Sequence, residues 1–302
     1  MLRLATRGSP LALWQARLVS RLLPGDTELV VLDTAGDRSQ DRPVWELGGQ
    51  GVFVKEIQAA VLDGRADAAV HSAKDLPSRP TPGLVIAAVA ERADPRDVLV
   101  GGRLADLAPG APIATGSVRR RAQLAWARPD LTFVSLRGNI AARMGKVPPG
   151  GALVVAAAAL DRLGLRPPHA EALDPAVMLP QVGQGAIAVE CRDGDRAALE
   201  QLGAVDHPDT RLCVEAERAF LARLGGGCDL PVGAHAVIAA TDAGPPQLHI
   251  DALVASLDGR CVLRSTRRGD VADGARLGRD LAEALLAAGG SALLDDAGMR
   301  LP

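Results

Sequence analysis

Apolar positions along the chain follow two alternating rhythms. Leu2 to Ala5, Glu28 to Leu32 and Ala68 to His71 are short apolar runs that predict strands. Between them, Leu11, Trp14, Leu18 and Leu22 follow a Ser9-Pro10 start at helical spacing, and Phe53, Ile57 and Val61 do the same within 52–62. Pro24-Gly25 stops the first helix. The rhythm restarts after Asp94-Pro95, with predicted strands at Ile113 to Thr115, Thr132 to Leu136 and Leu153 to Val155. Helices are predicted at Val118 to Ala127 and Asn139 to Met144, and an Ala-rich helix follows residue 155. Strands alternating with helices predict parallel pairing, so the first two thirds read as two α/β units. Ala186 to Glu190 predicts one more strand, and Asp209 to Leu224 a long helix ended by the glycines at 225–227. Three strand-like runs then follow one another (Val232 to Ala239, Leu248 to Ser256, Arg260 to Arg267) before a helix from about Val271 to Ala288, which is the pattern of a small α+β domain.

Composition narrows what such a chain can do. Its 302 residues suit two or three domains. Aromatics are 2%, with three Trp, three Phe and no Tyr, too few for the stacking platforms of single-stranded nucleic-acid binders. The formal charge of −2 gives no overall pull toward nucleic acid or an anionic membrane. No apolar run reaches membrane-spanning length and the first ten residues lack a signal-peptide core, so a cytoplasmic location is expected. Cysteines at 191, 213, 228 and 261 form neither a CxxC pair nor a metal-ligand spacing, which fits a reducing compartment and no metal. Lysine occurs only at 55, 74 and 146 among 34 basic residues, so Lys55 and Lys74, inside dense motifs, mark places where a compact ammonium is wanted.

The candidate chemistry lies at strand-to-helix turns. Arg7-Gly8-Ser9 precedes a helix N-terminus, where free backbone N–H groups favour an anion. Thr115-Gly116-Ser117 is followed by Arg119, Arg120 and Arg121, cations that oppose the helix dipole unless an anion sits there. Arg137-Gly138-Asn139, with Arg143 beyond it, adds a third such turn, and together the three describe a cleft for a ligand with several carboxylates or phosphates. Lys74 and Asp75 end a predicted strand; if extended, they point to opposite sides, and a carboxylate there suits acid–base or electrostatic work. Cys228 follows three glycines, an accessible setting for a thiol. The segment 35–51 is aperiodic and reads as a mobile loop beside the site.

Seven motifs then align in order along nearly the whole chain: 5–16 (ATRGSPLALWQA), 51–56 (GVFVKE), 70–75 (VHSAKD), 94–97 (DPRD), 135–139 (SLRGN), 179–185 (LPQVGQG) and 226–228 (GGC). They resemble the hydroxymethylbilane synthase (porphobilinogen deaminase) family. The resemblance implies two periplasmic-binding-protein-like α/β domains flanking a cleft, residues 1–92 with 186–204 and residues 93–185, plus a small α+β C-terminal domain, 205–302. It implies condensation of four porphobilinogen molecules, with a dipyrromethane cofactor attached through Cys228. By motif position it implies Asp75 as the catalytic carboxylate, Lys74, Thr115, Ser117, Arg119 and Arg120 as cofactor ligands, and Arg7, Ser9, Lys55, Arg137, Arg143 and Arg162 as substrate ligands. A cytoplasmic monomer without nucleic-acid or membrane partners goes with it. Gln50 stands where the family carries lysine, Gly116 where serine is commoner, and Asp161 where a basic residue is more usual. The same fold class leaves a second reading, a non-catalytic anion-binding or ligand-sensing domain.

Overall fold

A computed structural model of the chain describes residues 1–34, 51, 54–226, 230–242 and 244–296. Three sheets organise it. The first contains β1 (Leu2–Arg7), β2 (Thr27–Leu32), β3 (Ala68–Ser72), β4 (Leu84–Val89) and β10 (Ile187–Arg192), in the order β2-β1-β3-β10-β4. The second contains β5 (Asp97–Val100), β6 (Pro112–Ala114), β7 (Thr132–Val134), β8 (Ala152–Ala156) and β9 (Ala170–Ala172), in the order β7-β6-β8-β5-β9. The third is an antiparallel meander of β11 (Val232–Ala239), β12 (Gln247–Ala255) and β13 (Val262–Asp270). The chain is therefore mixed α/β with a small sheet at its C-terminal end.

Parallel pairing holds only in part. β1 runs parallel to β2 and β3, and β6 parallel to β7 and β8, but β10 runs antiparallel to β3 and β4 and β5 antiparallel to β8 and β9. The reason is topological: β5 and β10 are each the first strand after the chain passes between sheets. Each enters from the end where the parallel strands terminate, so each must run the other way.

Local chemistry fixes the elements. Helix α1 (Pro10–Leu22) starts on Ser9, whose hydroxyl accepts from the Ala12 amide at 3.3 Å, and buries Ala16 and Val19 against Leu4, Val70 and Ile187. The helix expected from residue 52 is described as α2 (Lys55–Leu62), with Ile57 and Val61 buried. Helices α3 (Val118–Ala127), α4 (Ile140–Met144) and α5 (Ala157–Arg162) stand close to expectation. Four elements escaped the sequence pattern: β4, β5, β9 and helix α6 (Arg196–Leu202), all short. Helix α7 (Pro208–Arg223) packs on the third sheet beside α8 (Gly274–Leu285), through Phe220, Leu277, Leu281 and Leu285. The helix expected to reach residue 288 does so through wider turns over Leu286–Gly290, then kinks at Gly289, with φ of 110°, and a further helix follows as α9 (Ser291–Asp296). Among the described residues no helix is long and apolar enough to cross a membrane.

Gly278 sets how closely α7 and α8 approach, since a Cβ there would lie 2.1 Å from the Ala216 carbonyl oxygen. Gly278→Ala is expected to lower stability by about 1–3 kcal/mol through overpacking. Thermal melting checks this, and an unchanged melting temperature would contradict it.

Candidate functional site

The carboxyl ends of β1 and β3 on the first sheet and of β6 and β8 on the second carry the predicted groups. Beyond β3 the chain makes one 3-10 turn, Ala73–Asp75, so Lys74 and Asp75 are not extended neighbours as expected. The cause is local: the Leu76 amide closes the turn on the Ala73 carbonyl at 3.3 Å, and the Asp75 charge then acts on Lys74. A pocket open to solvent, with about 380 Å³ of space between its walls when the open mouth is included, is lined by Arg7, Ser9, Gln15, His71, Ser72 and Asp75 among others. Its wall is stiffened by Gln15 and Ser72, whose side chains exchange hydrogen bonds of 2.8 and 3.2 Å. Lys55 is exposed at the start of α2, next to Val54, which lines the pocket.

On the second sheet, the Ser117 hydroxyl caps α3 by accepting from the Arg120 amide at 3.4 Å, and the Ser117 amide donates to Thr115 Oγ1 at 3.2 Å. A Cβ on Gly116 would lie 2.8 Å from the Leu136 carbonyl oxygen, so a serine here would force the two turns apart. Arg119 and Arg120 are buried, and the anion their position called for is in part the protein's own. Asp97, fully buried, holds Arg119 Nη2 at 2.8 Å and Arg120 Nη2 and Nε at 2.7 and 3.0 Å. Both guanidinium groups also donate to backbone, Arg119 to the Leu179 carbonyl at 2.7 Å and Arg120 to Val154 at 2.9 Å. Burial alone would raise the Asp97 carboxyl, but the two arginine charges and hydrogen bonds from Gln184 and Arg119 outweigh it and hold it below the usual carboxylate range.

Lys74 is joined to this cluster. Its Nζ donates to Gln184 Oε1 at 3.2 Å, and burial, then the Arg120 charge, pull it down to about 8 against the opposing pull of Asp75 and Asp97. Arg143 donates to the Gly138 carbonyl at 2.8 Å; burial and the Arg120 and Arg137 charges lower it to about 10, still charged at neutral pH. Asn139 starts α4, accepting from the Ala142 amide at 2.9 Å. Among the described residues, Lys74, Arg119, Arg120, Arg137 and Arg143 thus gather around two carboxylates, Asp75 and Asp97. A partly buried group of guanidinium and ammonium donors is suited to a ligand bearing several carboxylates.

Arg162 stands at the junction of the sheets. Its Nη2 donates to the Gly185 carbonyl at 2.6 Å, and its guanidinium lies 5.6 Å from the centre of the Trp14 ring. Cys228, Gln50 and the expected loop, apart from Gly51, lie outside the described residues. Asp97, Gln184, Gln15 and Ser72 were not singled out as functional from the sequence. All four fall inside the aligned motifs, so the motifs located them without indicating their contacts.

Comparison with known proteins covers both parts of the chain. A family model described as porphobilinogen deaminase, dipyromethane cofactor binding domain, matches residues 2–200, and one described as porphobilinogen deaminase, C-terminal domain, matches 211–287. Porphobilinogen deaminase of Roseiflexus castenholzii is 48% identical over 97% of this chain and 98% of its own. That of Nitratidesulfovibrio vulgaris (strain DP4) is 45% identical over 97% and 95%. Among solved structures, the probable amino-acid ABC transporter extracellular-binding protein ytmK from Bacillus subtilis is similar with a TM-score of 0.42 and 9% identity, over 68% of this chain and 89% of that one.

Proposed function

The chain belongs to the porphobilinogen deaminase family, and on that premise we propose a division of labour in its cleft for the family's transferase reaction. That reaction is the head-to-tail condensation of four porphobilinogen molecules into linear hydroxymethylbilane with release of ammonia. The family match sets aside the reading as a non-catalytic anion-binding domain. One observation carries the proposal: the Asp75 pocket and the arginine pair are joined through Lys74 into a single cation-rich site.

The matched domain binds a dipyrromethane cofactor, and the donor set fits a group with several carboxylates, because two arginines and Lys74 bring charge-assisted donors together in one place. Arg119, Arg120 and Lys74, with the Thr115 and Ser117 hydroxyls, would hold it. When bound, it supplies the pyrrole end on which the chain grows. Arg7 and Ser9 at the α1 start receive the incoming substrate's carboxylates, Arg forks matching them bidentately. Arg137 and Arg143 serve the lengthening chain, Lys55 stands at the rim, and Arg162 holds the sheets in register beside the substrate. Loss of ammonia leaves an electron-poor methylene pyrrole whose positive charge is shared with the ring nitrogen. Asp75, in the pocket wall, stabilises that charge without moving.

Attachment of the cofactor is assigned to Cys228. Burial, above all, pushes the Cys191 and Cys213 thiols up to about 11, far from the reactive thiolate range, which supports a different cysteine as the nucleophile. Intact mass of the purified protein is expected to exceed the polypeptide by two linked pyrrole units, mapping to Cys228, and Cys228→Ser is expected to be inactive. An active preparation with bare polypeptide mass, or an adduct on Cys191, Cys213 or Cys261, contradicts the assignment. Units of 1–92 with 186–204, 93–185 and 205–302 follow from the same reading, as does a cytoplasmic monomer. Buried free thiols at 191 and 213 support the reducing compartment, and size-exclusion chromatography with light scattering tests the monomer.

A further inference from the structure

No side chain of the stretch Gln181–Gly185 is given a role in the assignment above, yet the stretch forms the second passage between the first two sheets and touches both. Gly183, with φ of 70°, brings backbone against the turn that carries Lys74: a Cβ there would lie 3.1 Å from Ala73 and 3.2 Å from the Lys74 nitrogen. Gly185, with φ of 89°, does the same to the first passage, where a Cβ would lie 2.4 Å from the Ala93 carbonyl oxygen. Between them Gln184 is fully buried. Its Oε1 accepts from Lys74 Nζ at 3.2 Å, and its Nε2 donates to Asp97 Oδ1 at 2.9 Å and to the Pro95 carbonyl at 2.7 Å. Its own carbonyl accepts from Arg92 Nε at 2.9 Å, which fixes the backbone beneath the side chain.

These partners fix which way the carboxamide points. Turned over, it would set an NH₂ against an ammonium and an oxygen against a carboxylate and a carbonyl, losing every contact and adding repulsion. A carboxamide joins a donor on one side to acceptors on the other without adding charge. We propose that Gln184 is a positioning residue of the condensation site, tying the Lys74 ammonium on the first sheet to the Asp97-held arginine pair on the second.

The described groups that act on Lys74 make the tie testable. Among the described residues, Arg119 and Arg120 from α3 act against its charge, and Asp75 from its own turn and Asp97 from β5 act for it. Gln184 adds a neutral acceptor to that balance. An acceptor on Nζ favours the ammonium, so removing it should lower the Lys74 midpoint and replacing it with a carboxylate should raise it. The inference rests on the ligand role of Lys74 for its effect on turnover, but not for its effect on Lys74 itself.

Only three lysines are present, at 55, 74 and 146, so ¹³Cε signals of lysine-labelled full-length protein can be assigned with Lys55→Arg and Lys146→Arg. Relative to the parent, the Lys74 midpoint is expected to fall by at least about half a pH unit in Gln184→Met and to rise by at least that much in Gln184→Glu, the change expected when a hydrogen bond to a charged group is lost or strengthened. The alkaline limb of kcat/KM should move in the same two directions. Midpoints in both variants within about 0.2 units of the parent overturn the proposal. If Gln184→Met does not fold, Gln184→Asn, whose carboxamide is one methylene shorter, takes its place, and a midpoint that does not fall overturns the proposal alone. Midpoints that move as expected while the activity profile stands still support the tie and overturn the ligand role of Lys74.

Discussion

Asp75→Asn is expected to lower kcat about a thousandfold while leaving KM and the melting temperature nearly unchanged. The side chain lines the solvent-open pocket together with Arg7, Ser9 and Ser72. In such a partly wet site, with an effective dielectric of about 20, a charge pair at about 4 Å contributes roughly 4 kcal/mol. At about 1.4 kcal/mol per factor of ten, that is three decades of rate. The amide nearly matches the carboxylate in shape but carries no charge, so the loss should fall on the cationic transition state and not on binding. Single-turnover rates with porphobilinogen read the effect directly. A loss of less than about tenfold would remove Asp75 from the chemistry.

Asp97→Asn acts on the opposite side of the cleft and on a different quantity. Two buried arginines would lose their common counter-charge, and breaking a buried pair by removing one partner costs about 3–5 kcal/mol. A large fall in melting temperature is expected, with failure to retain the cofactor. The pH dependence has a definite sign. The folded-state pKa of Asp97 is depressed, so its stabilisation is fully present above the unfolded value of about 3.9 and is lost only as pH falls from there through the folded value. The stability gap between parent and variant should therefore stay level from pH 7 to about 5 and close only in stronger acid. A gap that closes between pH 7 and 5 would mean that Asp97 is not held ionised by the arginines, and an equally stable variant would deny the cluster any structural part.

The contrast between these two residues shows what the sequence could tell. Asp75 was legible because an acidic residue beside a lysine at a strand end suggests chemistry by type and place. Asp97 was not, because an aspartate after Asp94-Pro95-Arg96 looks like part of a polar turn; only the fold shows that it opens β5 and meets helix α3 from inside. The basic cluster at 119–121 suggested an anion, but local sequence could not say that Asp97 meets Arg119 and Arg120 from inside the protein. In the fold, α1 and β8 were legible through Ser9-Pro10 and an unbroken apolar run. The antiparallel placement of β5 and β10 was hidden, since strand direction depends on which end of a sheet the chain enters.

That placement bears on how the protein is made. β3 and β4 are successive strands in the chain, yet β10 lies between them in the first sheet. On the ribosome, residues 1–92 emerge with both flanking strands but without the one that joins them, and the gap persists until the whole second sheet has been synthesised. Closing it requires pairing between strands far apart in sequence, the slow class of folding event, while two apolar strand edges stay open to wrong partners. The N-terminal half is therefore the part of the nascent chain with most need of chaperone protection. A fragment ending before Ile187 has a first sheet that cannot be completed.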